Sequence, residues 1–338
     1  MPLLPPSGGA RVRRPVAVLA AVLLSLPAAA CTVDPVAPSR DPAAPAVHEG
    51  PIRIAMITHG DDGGFWSIVR RGATDAAATL PEVVLDYQGS AGDAKRQADM
   101  ITAALTQGAD ALAVSAPDIG AISGSLQQAQ AAGIPIVTLN SGSDLLDRMP
   151  DVITHVGQSE RVAGDGAGGK LAGMGATTVL CVLHEVNNIG LQERCNGAAD
   201  AMRESGGSLV TVQVTGKADP SSTAREIGAA MTAQDPDAVL TLDPDIAMAA
   251  LKEVAKRDAT LATFDLSPDV LDAVAAGDIA FAVDQQPYLQ GYLPVVFLEL
   301  AVRNGNEVGA NSLVLTGPSF VTKENAASVA ALSEQGTR

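Results

Sequence analysis

The chain has 338 residues, 47% hydrophobic and 3% aromatic, with 38 Asp and Glu against 22 Lys and Arg for a net charge of −16. A field of that sign repels nucleic-acid phosphates and anionic lipid headgroups, which excludes both as expected partners. The length leaves room for two hydrophobic cores even after a leader is removed.

Residues 1–31 read as an export signal. Arg11, Arg13 and Arg14 give a positive start, Val16 to Leu26 an apolar run, and Ala28-Ala29-Ala30 the small residues that precede a cut. The run is too short to span a bilayer. Cys31, directly after the small residues, resembles the acylated cysteine of a lipobox, with Ala28 where Leu is usual. The expectation is an exported protein, lipid-anchored through Cys31 to the outer face of the cell membrane. Ordinary secretion (a periplasmic protein with an incidental Cys31) is the alternative. Residues 32–51 read as a tether, in which Pro35, Pro38, Pro42, Pro45 and Pro51 keep the chain extended.

From Ile52 a short apolar run, a polar loop and an Ala-rich amphipathic stretch alternate. The strand candidates are Ile52–Thr58, Val83–Tyr87, Ala111–Ser115, Ile136–Asn140, Val179–His184, Leu209–Val214, Ala238–Leu242, Leu261–Phe264 and Phe281–Asp284. Helix candidates between them include Phe65–Thr79, Ala94–Gln107, Ile119–Ala132, Arg161–Gly173, Gln192–Ser205, Ser221–Ala233 and Ile246–Arg257. Runs such as Ala-Leu-Ala-Val are apolar on both faces, as buried parallel strands require. Such alternation predicts an α/β fold with right-handed crossovers and helices on both sides of parallel sheets.

Open sheets of this kind bind ligands beyond the C-terminal ends of their strands. Those ends carry Asp61, Asp62, Phe65 and Trp66, then Asn140 and Ser141, then His184, Glu185, Asn188 and Arg194. Further ends carry Asp243, Asp265 and Gln285. Each has a plain structural alternative. Asp245 and Ser267 suit helix capping, Phe65-Trp66 suits a core, and Arg194 can pair with Glu185 or Glu193 as scaffold. Their convergence at one edge points instead to a polyhydroxylated ring, its hydroxyls read by carboxylates, amides and Arg, its C–H face laid on an aromatic surface.

In this order and spacing the chain resembles the type I periplasmic sugar-binding proteins, in the ribose-binding branch, which are substrate-capturing subunits of ABC importers. The resemblance runs from about Ile52 to Thr322. Its first half rests on Phe65-Trp66 with Arg71-Gly72-Ala73, Gly108-Ala109-Asp110-Ala111-Leu112 and Ala132-Gly133-Ile134-Pro135-Ile136-Val137-Thr138. Its second half rests on Gln192-Glu193-Arg194 with Gly197, Asp243 followed by Ala247-Met248-Ala249-Ala250-Leu251, Phe264-Asp265 with Pro268-Asp269, and Gln285 with Pro287 and Gly291.

The family fold so implied is two Rossmann-like parallel-sheet lobes joined by a three-strand hinge. The N-terminal lobe would comprise residues 52–155 plus 286–316, and the C-terminal lobe 156–285 plus 317–338. The resemblance implies that Phe65 and Trp66 hold the sugar from the first lobe, that Arg194, Asp243 and Asp265 grip it, and that Gln285 contributes a hinge-side amide. Asn140 and Ser141 replace the Asp-Arg pair of the ribose binder and Asp243 replaces an Asn, which argues against ribose itself. The Asp61–Gly64 insertion adds Asp62, and His184 with Glu185 adds further polar groups. The implied ligand is another monosaccharide or a polyol. The implied partner is an ABC permease, with the protein a monomer that needs no cofactor; a tethered receptor signalling to a membrane sensor is the alternative.

Catalysis is not expected. The histidines, His48, His59, His155 and His184, lie in no metal-binding spacing. No Gly-x-Ser-x-Gly elbow is present, and Gly60 to Gly64 lacks the Gly-x-Gly-x-x-Gly phosphate pattern. Asp61 and Asp62 lack the neighbouring oxygen ligands of a calcium loop, so no metal is expected. No helix-turn-helix segment precedes Ile52. With Cys31 assigned to the anchor, Cys181 and Cys195 remain, and in an oxidising compartment they can form a disulfide across the fifth strand and its following helix. The alternative for Cys181 is a buried apolar filler.

Overall fold

The computed structural model describes residues 48–61, 63–149, 151–215 and 219–338. The proposed signal with Cys31, the tether up to residue 47, and Asp62 lie outside the described residues.

The chain opens with β1 (Ile52–Thr58), α1 (Gly63–Thr79), β2 (Val83–Gly89), α2 (Ala94–Thr106), β3 (Ala111–Val114), α3 (Ile119–Ala131), β4 (Ile136–Leu139), α4 (Leu145–Arg148) and β5 (Val152–Gly157). The pattern then repeats as α5 (Glu160–Gly173), β6 (Thr178–Leu183), α6 (Ile189–Glu204), β7 (Ser208–Gln213), α7 (Pro220–Gln234) and β8 (Ala238–Thr241). It continues through α8 (Pro244–Ala255), β9 (Thr260–Phe264), α9 (Pro268–Ala276) and β10 (Phe281–Asp284). A final run, α10 (Pro287–Asn304), β11 (Leu313–Leu315), β12 (Ser319–Val321) and α11 (Ala326–Glu334), closes the fold.

These strands build two six-stranded sheets, ordered β11-β5-β4-β3-β1-β2 and β12-β10-β9-β8-β6-β7. All pairings are parallel except β10 with β12. Each sheet separates two cores, because successive side chains leave a strand on opposite faces. In β1, Ala55 and Ile57 enter one core while Ile52, Ile54 and Met56 enter the other. In β6, Leu180 and Val182 face one side and Val179, Cys181 and Leu183 the other. The chain passes between the sheets three times, at residues 158–159, 285–286 and 316–318. This is the two-lobed, three-crossing α/β architecture of type I periplasmic binding proteins.

Three strands escape the sequence pattern. β5 carries His155 in a wholly buried run, so it lacks an uninterrupted apolar signal. β11 and β12 are three residues each, too short for period-two alternation to register. The buried His155 ring bonds the Thr138 Oγ1 at 2.9 Å, and burial pushes its pKa down to about 4, so it is neutral.

Glycines let the helices nearest the cleft meet backbone to backbone. A Cβ on Gly164 of α5 would run into the Arg194 carbonyl of α6, and one on Gly197 into that of Arg161. In the other lobe Gly291 of α10 lies equally close to the Val69 carbonyl of α1. Both helices that leave the first two crossings, α5 and α10, thus lock directly onto α6 and α1.

Candidate functional site

The strand ends of both sheets face one another across a cleft with a cavity of about 100 Å³. Eleven of the sequence candidates line it: Phe65, Trp66, Asn140, Ser141, His184, Glu185, Asn188, Arg194, Asp243, Asp265 and Gln285. Asp245, Ser267, Leu191, Leu242 and Leu266 complete much of the wall, and so does Glu160, which the sequence did not single out.

Phe65 and Trp66 open α1 and are both half-buried, packed on the lobe's core while lining the cleft. Their rings meet edge to face at 5.1 Å, and His59 meets Trp66 likewise at 4.8 Å. The indole lies over Gly60, where any side chain would collide with it. His59 is steadied in turn by Ser115, whose Oγ is 2.8 Å from its Nδ1. Core and platform are therefore one arrangement, since the core fixes the rings that the cleft exposes.

On the facing lobe, Arg194 is almost fully buried and makes a two-pronged pair with Glu160, Nε–Oε2 2.6 Å and Nη2–Oε1 3.1 Å. Its guanidinium lies 4.7 Å from the Phe264 ring centre. Of the scaffold partners expected for it, Glu193 accepts from Arg161 at 3.1 Å, and Glu185 accepts from Asn188 at 2.8 Å while its charge also acts on Arg194. Burial pulls the guanidinium pKa down, but Glu160 and then Asp265 outweigh it, so Arg194 stays charged. Glu160 opens α5 immediately after β5. Once that strand is seen, Gln158 to Glu160 become strand-end residues like the others; without it, no signal marks them.

Asn140 and Asp265 follow β4 and β9 in the left-handed region, at φ 60° and 65°. Asn and Asp tolerate that conformation better than most residues. Gln285 joins them across the crossing, donating to Asp265 Oδ1 at 2.6 Å and lying 3.5 Å from the Asn140 Nδ2. Burial pushes the Asp265 carboxyl up to about 7, against the pull of Arg194 (Nη1–Oδ2 3.8 Å) and of Gln285. Asp243 and Glu160 add to the rise.

Two capping assignments differ from expectation or refine it. Asp243, not Asp245, caps α8: its Oδ1 accepts from the Asp245 and Ile246 N–H groups at 2.8 and 3.3 Å. The helix begins at Pro244, whose missing N–H suits the first position, so Asp245 already sits in the first turn. Asn188 caps α6 through Oδ1 as well as lining the cleft. Ser267 caps α9, accepting from the Val270 N–H at 3.2 Å. His184 is nearly buried, with Nε2 3.9 Å from Glu185 Oε1.

Behind this wall, Cys181 of β6 and Cys195 of α6 are joined by a disulfide with Cα atoms 5.9 Å apart. The segment it closes carries His184, Glu185, Asn188 and Arg194. Among the described residues no group of His, Cys, Asp and Glu has a metal-holding arrangement, and no helix is long and apolar enough to cross a membrane.

Residues 54–307 match the periplasmic binding protein domain family. A solved carbohydrate transporter from Acidothermus cellulolyticus 11B, in complex with myo-inositol, is 38% identical, with 85% of this chain and 100% of that chain covered and a TM-score of 0.79. The xylose/arabinose-binding protein of Sulfolobus acidocaldarius is 25% identical over 293 residues, 81% of this chain and 71% of the relative. A putative rhizopine-binding protein of Rhizobium meliloti is also 25% identical, over 73% of this chain and 82% of its own. With two crossing-linked lobes and a polar cleft between them, the chain belongs to the periplasmic binding protein family, in its type I, sugar-binding ABC-transporter branch.

Proposed function

We propose that the protein is the extracytoplasmic substrate-binding subunit of an ABC importer and captures a neutral monosaccharide or polyol, foremost a cyclic polyol of the myo-inositol kind. The observation that carries this is the chemistry of the cleft wall. Glu160, Glu185, Asp243, Asp245 and Asp265 face it, with Arg194 as the one Lys or Arg among the described lining residues and Phe65 and Trp66 as the aromatic surface. Ionised carboxylates accept hydrogen bonds and do not donate; Glu160 already gives both oxygens to Arg194, and Asp265, raised to about 7, is partly protonated near neutral pH. A ligand meeting them must donate at most of its polar positions, which hydroxyls do and ring oxygens do not. The surplus negative charge also disfavours sugar acids and sugar phosphates. The myo-inositol complex of the 38% identical relative supports the same ligand class.

Ligand bound across the cleft would touch both lobes and favour the closed form, the form a permease would recognise. Binding, not catalysis, is the role that follows. The same reading takes residues 1–31 as the export signal, Cys31 as the acylated anchor and 32–51 as the spacer. Loss of fatty-acid labelling in Cys31→Ser would support the anchor, and labelling that persists would remove it. Calorimetric titration against pentoses, hexoses, inositols and linear polyols tests the ligand class. Heat from an amino acid or nucleoside, with none from any polyol or sugar, would overturn it.

A further inference from the structure

Glu160 is buried and placed where one lobe meets the hinge. It is the first residue of α5, directly after the first crossing, and both of its oxygens are committed to Arg194. Gln158, inside that crossing, donates its Nε2 to Glu160 Oε2 at 2.8 Å. The other end of the Gln158 amide reaches the remaining crossings: a Cβ on Gly317 would stand 3.2 Å from Gln158 Oε1 and 3.0 Å from the Gln285 Cα. That Oε1 is buried and has no hydrogen-bond partner in this arrangement. A continuous polar chain thus runs from Arg194 through Glu160 and Gln158 to the hinge. The backbone contact of Gly164 with the Arg194 carbonyl sets its spacing.

We propose that Glu160 is a positioning residue, which fixes the plane of Arg194 toward ligand and ties that grip to the hinge. The inference rests on the sugar or polyol reading of the cleft. A guanidinium has five N–H groups in a rigid fork. With Nε and Nη2 held by Glu160, the Nη1 edge is the one turned to Asp265 and the cleft. Without the fork, Arg194 swings toward Asp265, the nearest remaining acid, and presents a different edge to ligand. The charged and titratable groups facing Asp265 are Arg194 from α6, Asp243 after β8 and Glu160 from α5, with the Gln285 amide from the second crossing.

The test compares wild type, Glu160→Gln and Glu160→Asp, each checked for folding by far-UV circular dichroism and melting. Two readouts are used: calorimetry with myo-inositol, and a ligand-free carbon-13 NMR titration of the Asp265 carboxyl. Glu160→Asp keeps the charge but is one methylene too short for the two-pronged pair. The expected result is about a ten- to hundredfold loss of affinity in both variants, with the Asp265 midpoint moved to lower pH in both. Wild-type affinity in Glu160→Asp would reduce Glu160 to a neutralising charge and overturn its positioning role. So would an unmoved Asp265 midpoint in both variants. If wild type binds no sugar or polyol, the functional reading fails, while the ligand-free titration still decides the role of Glu160.

Discussion

Asp265 is the residue whose surroundings make the sharpest demand on pH. Its carboxyl is raised from 3.8 to about 7 by burial, so the folded protein holds a proton that the unfolded chain has already released. Where the folded state binds more protons, stability falls as pH rises. The contribution is therefore intact below 3.8 and is lost progressively up to about 7. Asp265→Asn removes that loss, so its melting temperature relative to wild type should rise between about pH 4 and pH 7 and level off above. A difference that stays constant over that range would contradict the assignment. Most cleft residues were legible in the sequence because the rule is geometric: whatever follows a parallel strand lies at the cleft edge, as Asn140, Asp243 and Asp265 do. The partner of Arg194 was not legible. Glu193 and Glu185 are near in sequence, but Glu160 is brought to it by a helix crossing at Gly164 that no local pattern reports.

At the scale of elements, the joining of β6 to α6 carries the next consequence. The disulfide between Cys181 and Cys195 closes the segment that holds His184, Glu185, Asn188 and Arg194. Closing a loop of this size stabilises by about 3 kcal/mol through the unfolded chain. Reduction should therefore lower the melting temperature and also weaken ligand binding, because the segment loosens as a unit. Melting and calorimetry with and without reductant check this, and affinity unchanged by reduction would confine the bridge to a purely stabilising role. Seven helices and the longer strands other than β5 were readable from periodicity, down to β1 at Ile52–Thr58, whereas α4, α9, α10 and α11 were not named. What periodicity misses is structure made by pairing alone, such as β11 beside β5 and β12 antiparallel to β10. Cap placement was also beyond it, because Asp243 and Asp245 are equally good capping residues until Pro244 fixes where α8 starts.

For the whole molecule, two lobes joined through three chain crossings form a hinge, and the helices that lock onto the cleft-lining α1 and α6 both emerge from it. Such a body can couple ligand contact to lobe rotation without refolding either core. The resemblance in sequence was enough to reach this architecture, since its motifs spread over both lobes and so reported their duplication. It was not enough to name the ligand, because Asn140, Ser141 and Asp243 line the cleft where the ribose binder has other residues. The central claim is that this cleft closes on a neutral polyol or monosaccharide, and Trp66, the one tryptophan, lines the cleft to report it. The most direct measurement is the fluorescence of Trp66 during titration with myo-inositol, with glucuronate as the charged control. A saturable one-site change with myo-inositol and none with glucuronate is the predicted result; no change with myo-inositol or any neutral sugar, or saturation by glucuronate alone, would contradict it.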